Sequence, residues 1–311
     1  MGPVVADLAL IFGCTPWREE ARTLAPEQAA ISKQLRAQAR PLSATGAGID
    51  VEPLWAMTRE ARIIGIGEAT HGTREFREVM NAMVKRASSD DRPVVVALRL
   101  VWLAQQRVDA SVAEGSTEIT ERRDLLMADN VRWISDQVPD ALILLNAHNG
   151  HITRARGRMS NGRMSQGPVM GIARSGHFGD EYVAVHTAFD HGSFLAYHTR
   201  SPLAARWPRI RELRSFPVDP APRGTLEATL REPGVYVLDV RTAEVGEGAL
   251  ARYLRTEHWA RWHTFAWRRS YALVPVGWSK RVPTESFDVL VYFARGSATT
   301  PWVARGARKG R

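Results

Sequence analysis

The 311-residue chain has a single cysteine, Cys14, so no intrachain disulfide can form. That usage fits a reducing cytoplasm. No apolar run reaches the roughly 20 residues that a membrane-spanning helix needs. The opening stretch MGPVVADLALIFGC contains Asp7 and no basic leader, so it does not read as a signal peptide. No internal repeat is visible and no linker divides the sequence. These absences leave one α/β domain over residues 1–303, with 1–40 as an N-terminal helical segment punctuated by Pro16, Pro26 and Pro41. Residues 304–311 read as a basic, disordered tail. A nucleotide fingerprint is also incomplete. Gly65-x-Gly67-x-x-Thr70 lacks the third glycine, and Arg99 stands where an acid would close the next strand.

What is present begins with charge. The formal net charge is +9, a field that draws anions. Arginine is frequent along the whole chain, so the charge is a weak pointer to any one partner. ARIIGIG (61–67), PVVVAL (93–98) and ALILLN (141–146) are short continuous apolar runs and read as buried strands. Between the first two, Phe76, Val79, Met80, Met83 and Val84 make one apolar stripe at helical spacing. Thr73 stands at its N-cap position. Residues 101–113 and 120–138 read as further helices. EYVAVHTAF (181–189), GVYVLDV (234–240) and FDVLVYF (287–293) read as further strands. The alternation implies a largely parallel sheet covered on both faces, a three-layer α/β/α arrangement. In such sheets ligands bind beyond the carboxyl ends of the strands.

Two polar turns leave those ends. In the first, Glu68-x-x-His71, Glu68 would accept a hydrogen bond from one ring nitrogen and leave the other for water or a substrate hydroxyl. A solvated acid beside a helix-capping histidine fits the same residues equally well. The second, NAHNGH (146–151), puts His148 and His151 on an Asn-Gly turn. If the first and third strands are neighbours, Glu68, His71, His148 and His151 converge. Such a set suits acid–base chemistry or a zinc or manganese ion. Neither pair has the spacing of a helical zinc motif, which favours a site with no metal and no cofactor. Arg99, Asn149, Arg74 and Arg154 are the candidate substrate-binding residues around it. Arg154, Arg156, Arg158 and Arg163 crowd a Gly/Arg/Ser/Asn-rich loop over 153–167. HWARWHTFAWRR (258–269) reads as an amphipathic helix with packed tryptophans and wet arginines rather than a nucleic-acid surface.

ARIIGIGEATHGTREF and RRDLLMADNVRWISDQVPDALILLNAHNGHI (122–152) closely resemble two signatures of the erythromycin esterase-like family. GHFGDEYVAVHTAFDHGSF (176–194) and ESFDVLVYFARGSATTP (285–301) are similar to its later strands. The resemblance covers about residues 35–301. It implies a three-layer hydrolytic enzyme that opens a macrolide lactone. In that picture His71 activates water, Glu68 supports it, and His148 or His151 binds or polarises the substrate. Three features depart from the family. Arg99 replaces a strand-end glutamate, Met80 replaces a basic residue, and only EGSTEITE (114–121) stands where a long helical insert belongs. Three readings follow. The first is ester or lactone hydrolysis of a polyketide-type small molecule. The second is a cyclisation, dehydration or other elimination on the same scaffold, with Arg99 holding an acidic group of the substrate. The third is a degenerate ligand-binding protein. The oligomeric state is not legible.

Overall fold

The computed structural model describes residues 24–45, 48–98, 117–159, 170–198, 212–263, 266–267 and 277–300. Cys14, Pro16, Arg99, Arg163, the expected helix over 101–113 and the basic tail lie outside the described residues. The elements that position the site are α1 (Pro26–Gln38), β1 (Ile63–Glu68), α2 (Arg74–Ala87), β2 (Val94–Leu98), α3 (Thr117–Gln137), β3 (Leu142–His148), α4 (Asn149–Ile152), α5 (Met170–Phe178), β4 (Tyr182–His198), β5 (Leu213–Val218), α6 (Leu226–Thr229), β6 (Val235–Asp239), α7 (Ala249–Leu254), β7 (His258–Arg261), β8 (Trp278–Arg281) and β9 (Val289–Gly296).

Residues 117–121, read from the sequence as connector, are the first turns of α3. No helix among the described residues is long and apolar enough to cross a membrane.

The main sheet runs in the order β6–β9–β4–β1–β3–β2, with Arg40–Pro41 on the β6 edge. The five strands from β9 to β2 are mutually parallel, and β6 joins antiparallel. Their apolar runs are continuous because each strand is covered twice. Ile63, Ile143, Leu145 and Ala184 enter one core with Leu35 of α1, Met127 and Val131 of α3 and Met170 of α5. Ile64, Ile66, Leu142, Leu144, Val183 and Val185 enter the other, with Phe76, Val79, Met80 and Met83 of α2. Successive side chains of a strand alternate between faces, so a run without polar interruption feeds both layers. Met80 sits in that core, as its helical spacing requires.

Two local expectations change. Thr73 occupies the N-cap position of α2, but its hydroxyl bonds Thr70 Oγ1 at 2.5 Å instead of a backbone N–H. The first turn of α2 is tied down from outside, with Arg74 N donating to Ser297 O at 2.8 Å. The expected helix at HWARWH is the strand β7, antiparallel to β8. Arg261 at its end is buried, and its backbone N–H donates to Glu227 Oε1 at 2.7 Å.

The long strand β4 continues past the sheet and takes β5 as an antiparallel partner. It turns at Gly192, whose φ of +128° favours glycine. Gly192 lies opposite Gly296 of β9, so close that an added Cβ would strike the Gly296 carbonyl. Replacing Gly192 with alanine should therefore cost about 2–3 kcal/mol through both strain and collision. Urea unfolding checks this: the midpoint falls while the slope stays unchanged.

Candidate functional site

The site forms where β1 and β4 part. Their pairing ends at Ile66 opposite Val185, while β1 and β3 stay in register up to Glu68 opposite His148. Asn149 and Thr187 fill the widening gap. Asn149 Nδ2 donates to Thr187 O at 2.8 Å, and Thr187 N–H donates to Asn149 Oδ1 at 3.3 Å. Thr187 Oγ1 donates to Gly67 O at 2.9 Å and accepts from Ala69 N–H at 3.1 Å. Gly67 is a glycine because α4 lies against it: an added Cβ would overlap Asn149 Oδ1 and press on Ile152. The two glycines of GIG thus serve packing, not phosphate binding. Asn149, expected to bind substrate, is buried with its amide committed to Thr187.

From this frame the chain exits through Glu68 to Thr73. Leu195 N and Thr299 N both donate to Gly72 O, at 3.0 and 2.9 Å, and Arg77 donates to His71 O at 2.9 Å. The turn is therefore held by β4, by the segment after β9 and by α2. Glu68 is buried, and its Oε2 lies 3.6 Å from Nδ1 of His71, whose side chain is 42% exposed. The His71 ring is 5.1 Å from that of His148. The two polar turns do meet, and the strand register brings them together.

The three imidazoles are not equivalent. His148 caps α4, a short helix in place of the expected Asn-Gly turn. Its Nδ1 accepts from Gly150 N–H at 3.1 Å, so Nε2 carries the proton and donates to His263 O at 3.1 Å. Burial, reinforced by His71 and His151, holds it well below the usual imidazole range. Both of its ring nitrogens are thus hydrogen-bonded within the chain. Held in this way, its ring backs that of His71. His151 differs. Its Nδ1 is 2.7 Å from Oδ1 of Asp124, a fully buried carboxylate on α3. A carboxylate against Nδ1 fixes the tautomer and steadies a positive ring. Asp124 was missed in the sequence because it lies 27 residues upstream on another element. The signal available was its place in the RRDLLMADN signature.

Among the described residues no group of three His, Cys, Asp or Glu side chains could hold a metal ion. A wall of aromatics backs His148. Trp262 meets it edge-on at 4.8 Å, and the Arg281 guanidinium lies 4.1 Å from the Trp262 ring centre. Of the remaining candidates, Arg74 is exposed, with Glu78 at 3.3 Å and Glu75 at 3.6 Å. Arg154 is drawn to the opposite edge of the sheet. It binds both oxygens of Asp288, which precedes β9, and the carbonyl of Tyr182, which opens β4. These partners sit at the amino ends of β4 and β9, and they hold Arg154 in an ion pair there.

The largely parallel sheet of this α/β protein thus opens at its carboxyl edge onto the Glu68–His71 contact and the Asp124–His151 pair. The profile of the family described as Erythromycin esterase matches residues 18–296, and the chain belongs to that family. No curated protein sequence matches the chain. Among solved structures, a Bacillus cereus protein superposes with a TM-score of 0.69 at 13% identity, covering 88% of this chain and 98% of its own. A succinoglycan biosynthesis protein gives 0.65 at 12%, covering 89% and 99%. An erythromycin esterase carrying a histidine-to-asparagine substitution, in its open conformation, gives 0.59 at 10%, covering 84% and 98%. At these identities the likeness is one of fold.

The buried histidines set an acid limit. His148, His186 and His263 are each pushed well below the ordinary value of 6.5, by burial first. The folded chain keeps them neutral while the unfolded chain takes up protons below about pH 6.5. Stability therefore falls as pH drops, by up to about 1.4 kcal/mol per pH unit for each. Glu227, raised by burial to about 7, acts in the opposite sense: it favours the fold at low pH and loses that contribution as pH rises through about 7. The histidines outnumber it. Denaturation curves from pH 7 to 5 should show declining stability, and His263→Phe should make the decline shallower by about 1.4 kcal/mol per unit at the acid end.

Proposed function

We propose that the protein hydrolyses an ester or lactone bond in a polyketide-type small molecule, with His71 as general base. The observation that carries this reading is the contact between buried Glu68 and half-exposed His71 at the open end of the sheet. On this reading Glu68, 3.6 Å from Nδ1, favours the proton on that nitrogen and leaves the Nε2 lone pair for water. His71 Nε2 takes a proton from a water. The resulting hydroxide adds to the acyl carbon and pushes its electron pair onto the carbonyl oxygen. Collapse of the tetrahedral species breaks the acyl C–O bond, and the leaving alkoxide takes a proton from the imidazolium. The products are a carboxylic acid and an alcohol. His151, held by Asp124, is the second imidazole at this edge and steadies charge on the departing or carbonyl oxygen. Family membership supports a hydrolytic chemistry of this kind, and the net charge of +9 favours substrates with an acidic group.

Incubation with a panel of macrolides and simpler lactones, read by mass spectrometry, tests it. Hydrolysis gives a product heavier than its substrate by one water. An isomeric product or one lighter by a water points instead to cyclisation or dehydration, the reading that the charge reversal at Arg99 suggests. His71→Ala should lower kcat by ~100- to 10,000-fold with the fold intact by circular dichroism. Asp124→Asn should lower it by a smaller factor. Full activity in His71→Ala removes the general-base assignment.

A further inference from the structure

Behind the wall formed by Trp262 and Arg281 lies a polar cluster that the proposed reaction does not use. Residues of β4, α6, β7, β8 and the start of β9 enclose a cavity of about 20 Å³, lined among others by His186, Glu227, Arg261 and Arg281. That is room for one water-sized guest or a little more. All four side chains are more than nine-tenths buried. Each keeps a polar atom without a hydrogen-bond partner among the described residues: His186 Nε2, Glu227 Oε2, Arg261 Nε, and both Nε and Nη2 of Arg281. Buried polar atoms in native proteins nearly always find a partner, so so many at one cavity point to a guest.

The chemistry of these atoms narrows the guest. The three guanidinium nitrogens can only donate, and His186 Nε2 donates in its Nε2–H tautomer. The fourth group, Glu227, donates only when its carboxyl is protonated, and in that state the whole lining asks for an acceptor. Its charge asks for the same thing. Glu227 Oε1 accepts from Arg261 N–H at 2.7 Å, and Asp190 is held by Arg231 at 3.1 Å. Asp288 is taken by Arg154. Among the described residues Arg281 donates to Thr153 Oγ1 and the Ala155 carbonyl, at 3.1 and 3.4 Å, with Trp262 against its face. No carboxylate among the described residues forms an ion pair with it. A buried cation without a counter-charge is costly, and a neutral water leaves that cost in place.

We infer that this cavity binds one small monovalent anion of halide size, held by Arg281, Arg261 and His186. A larger oxyanion has too little room. The occupant lies behind Trp262 and so stiffens the wall that fixes His148. Glu227 governs its affinity. That carboxyl faces Arg261 of β7, Asp190 of β4, Tyr253 of α7 and Tyr292 of β9, with His186 and Arg281 across the cavity. Protonated, it offers an O–H to the anion. Ionised, it supplies the missing negative charge itself and repels the guest. Its value of about 7 puts this exchange near neutral pH, with binding lost as pH rises.

The test uses the whole chain and three salts at equal ionic strength: sodium chloride, bromide and gluconate. At pH 6, Tm should be about 2 °C higher in either halide once it is roughly fivefold above its dissociation constant. At pH 8 the difference should shrink. Glu227→Gln should preserve it at pH 8, and Arg281→Met should remove it at both. A crystal soaked in bromide should show anomalous density in the cavity beside Arg281. Equal Tm in all three salts, or bromide at surface positions alone, means that the cavity holds only water and overturns the proposal. Should Arg281→Met fail to fold, Glu227→Gln and the bromide density decide.

Discussion

The parallel pairing of β1 with β3, in the register that sets Glu68 opposite His148, is the constraint on which the site depends. It brings together two turns about 80 residues apart in sequence, and it does so through backbone hydrogen bonds that any apolar strand can make. A slip of one residue would send both side chains to the other face of the sheet. The continuous apolar runs of both strands would tolerate such a slip. What resists it is the pair of glycines: α4 packs down on Gly65 and Gly67, and only one register puts Asn149 and Ile152 over residues without a Cβ.

The same packing divides the work among the histidines. His148 is pulled inward by the Gly150 N–H and the His263 carbonyl, and burial keeps it neutral. A ring so held sets a floor for the exposed ring of His71. His71 and His151 each meet a buried carboxylate through Nδ1. Two carboxylate–imidazole contacts thus flank one locked imidazole. A neutral His148 avoids the repulsion that its imidazolium would suffer from charged His71 and His151.

Behind this front lies an interior with an unusual load of arginine. Arg261 and Arg281 enter it along β7 and β8, and their guanidinium planes lie against Phe189, Trp278 and Trp262. Stacking suits guanidinium better than ammonium because the ion is flat and weakly hydrated. It does not neutralise charge, however, and this imbalance motivates the anion assigned to the cavity.

Much of the fold was legible in the chain. Ile63–Ile66, Val94–Leu98 and Leu142–Leu145 announce doubly covered strands, and the stripe from Phe76 to Val84 announces the helix that covers them, because periodicity reports burial directly. The open edge of the sheet and the meeting of Glu68, His71 and His148 followed from topology. Asp124 was not legible as the partner of His151, nor were the duties of Asn149 and Arg154, since each depends on a partner on another element. HWARWH misled for a related reason: tryptophan and arginine at mixed spacing fit either period, and only the pairing with β8 chose the strand. The sequence by itself determined the layers, the family and the chemistry available, through local patterns of apolar and polar residues. Only the tertiary structure decided which imidazole is hydrogen-bonded at both nitrogens and which cations lack a counter-charge, because hydrogen bonding and burial are settled between segments that the chain order keeps apart.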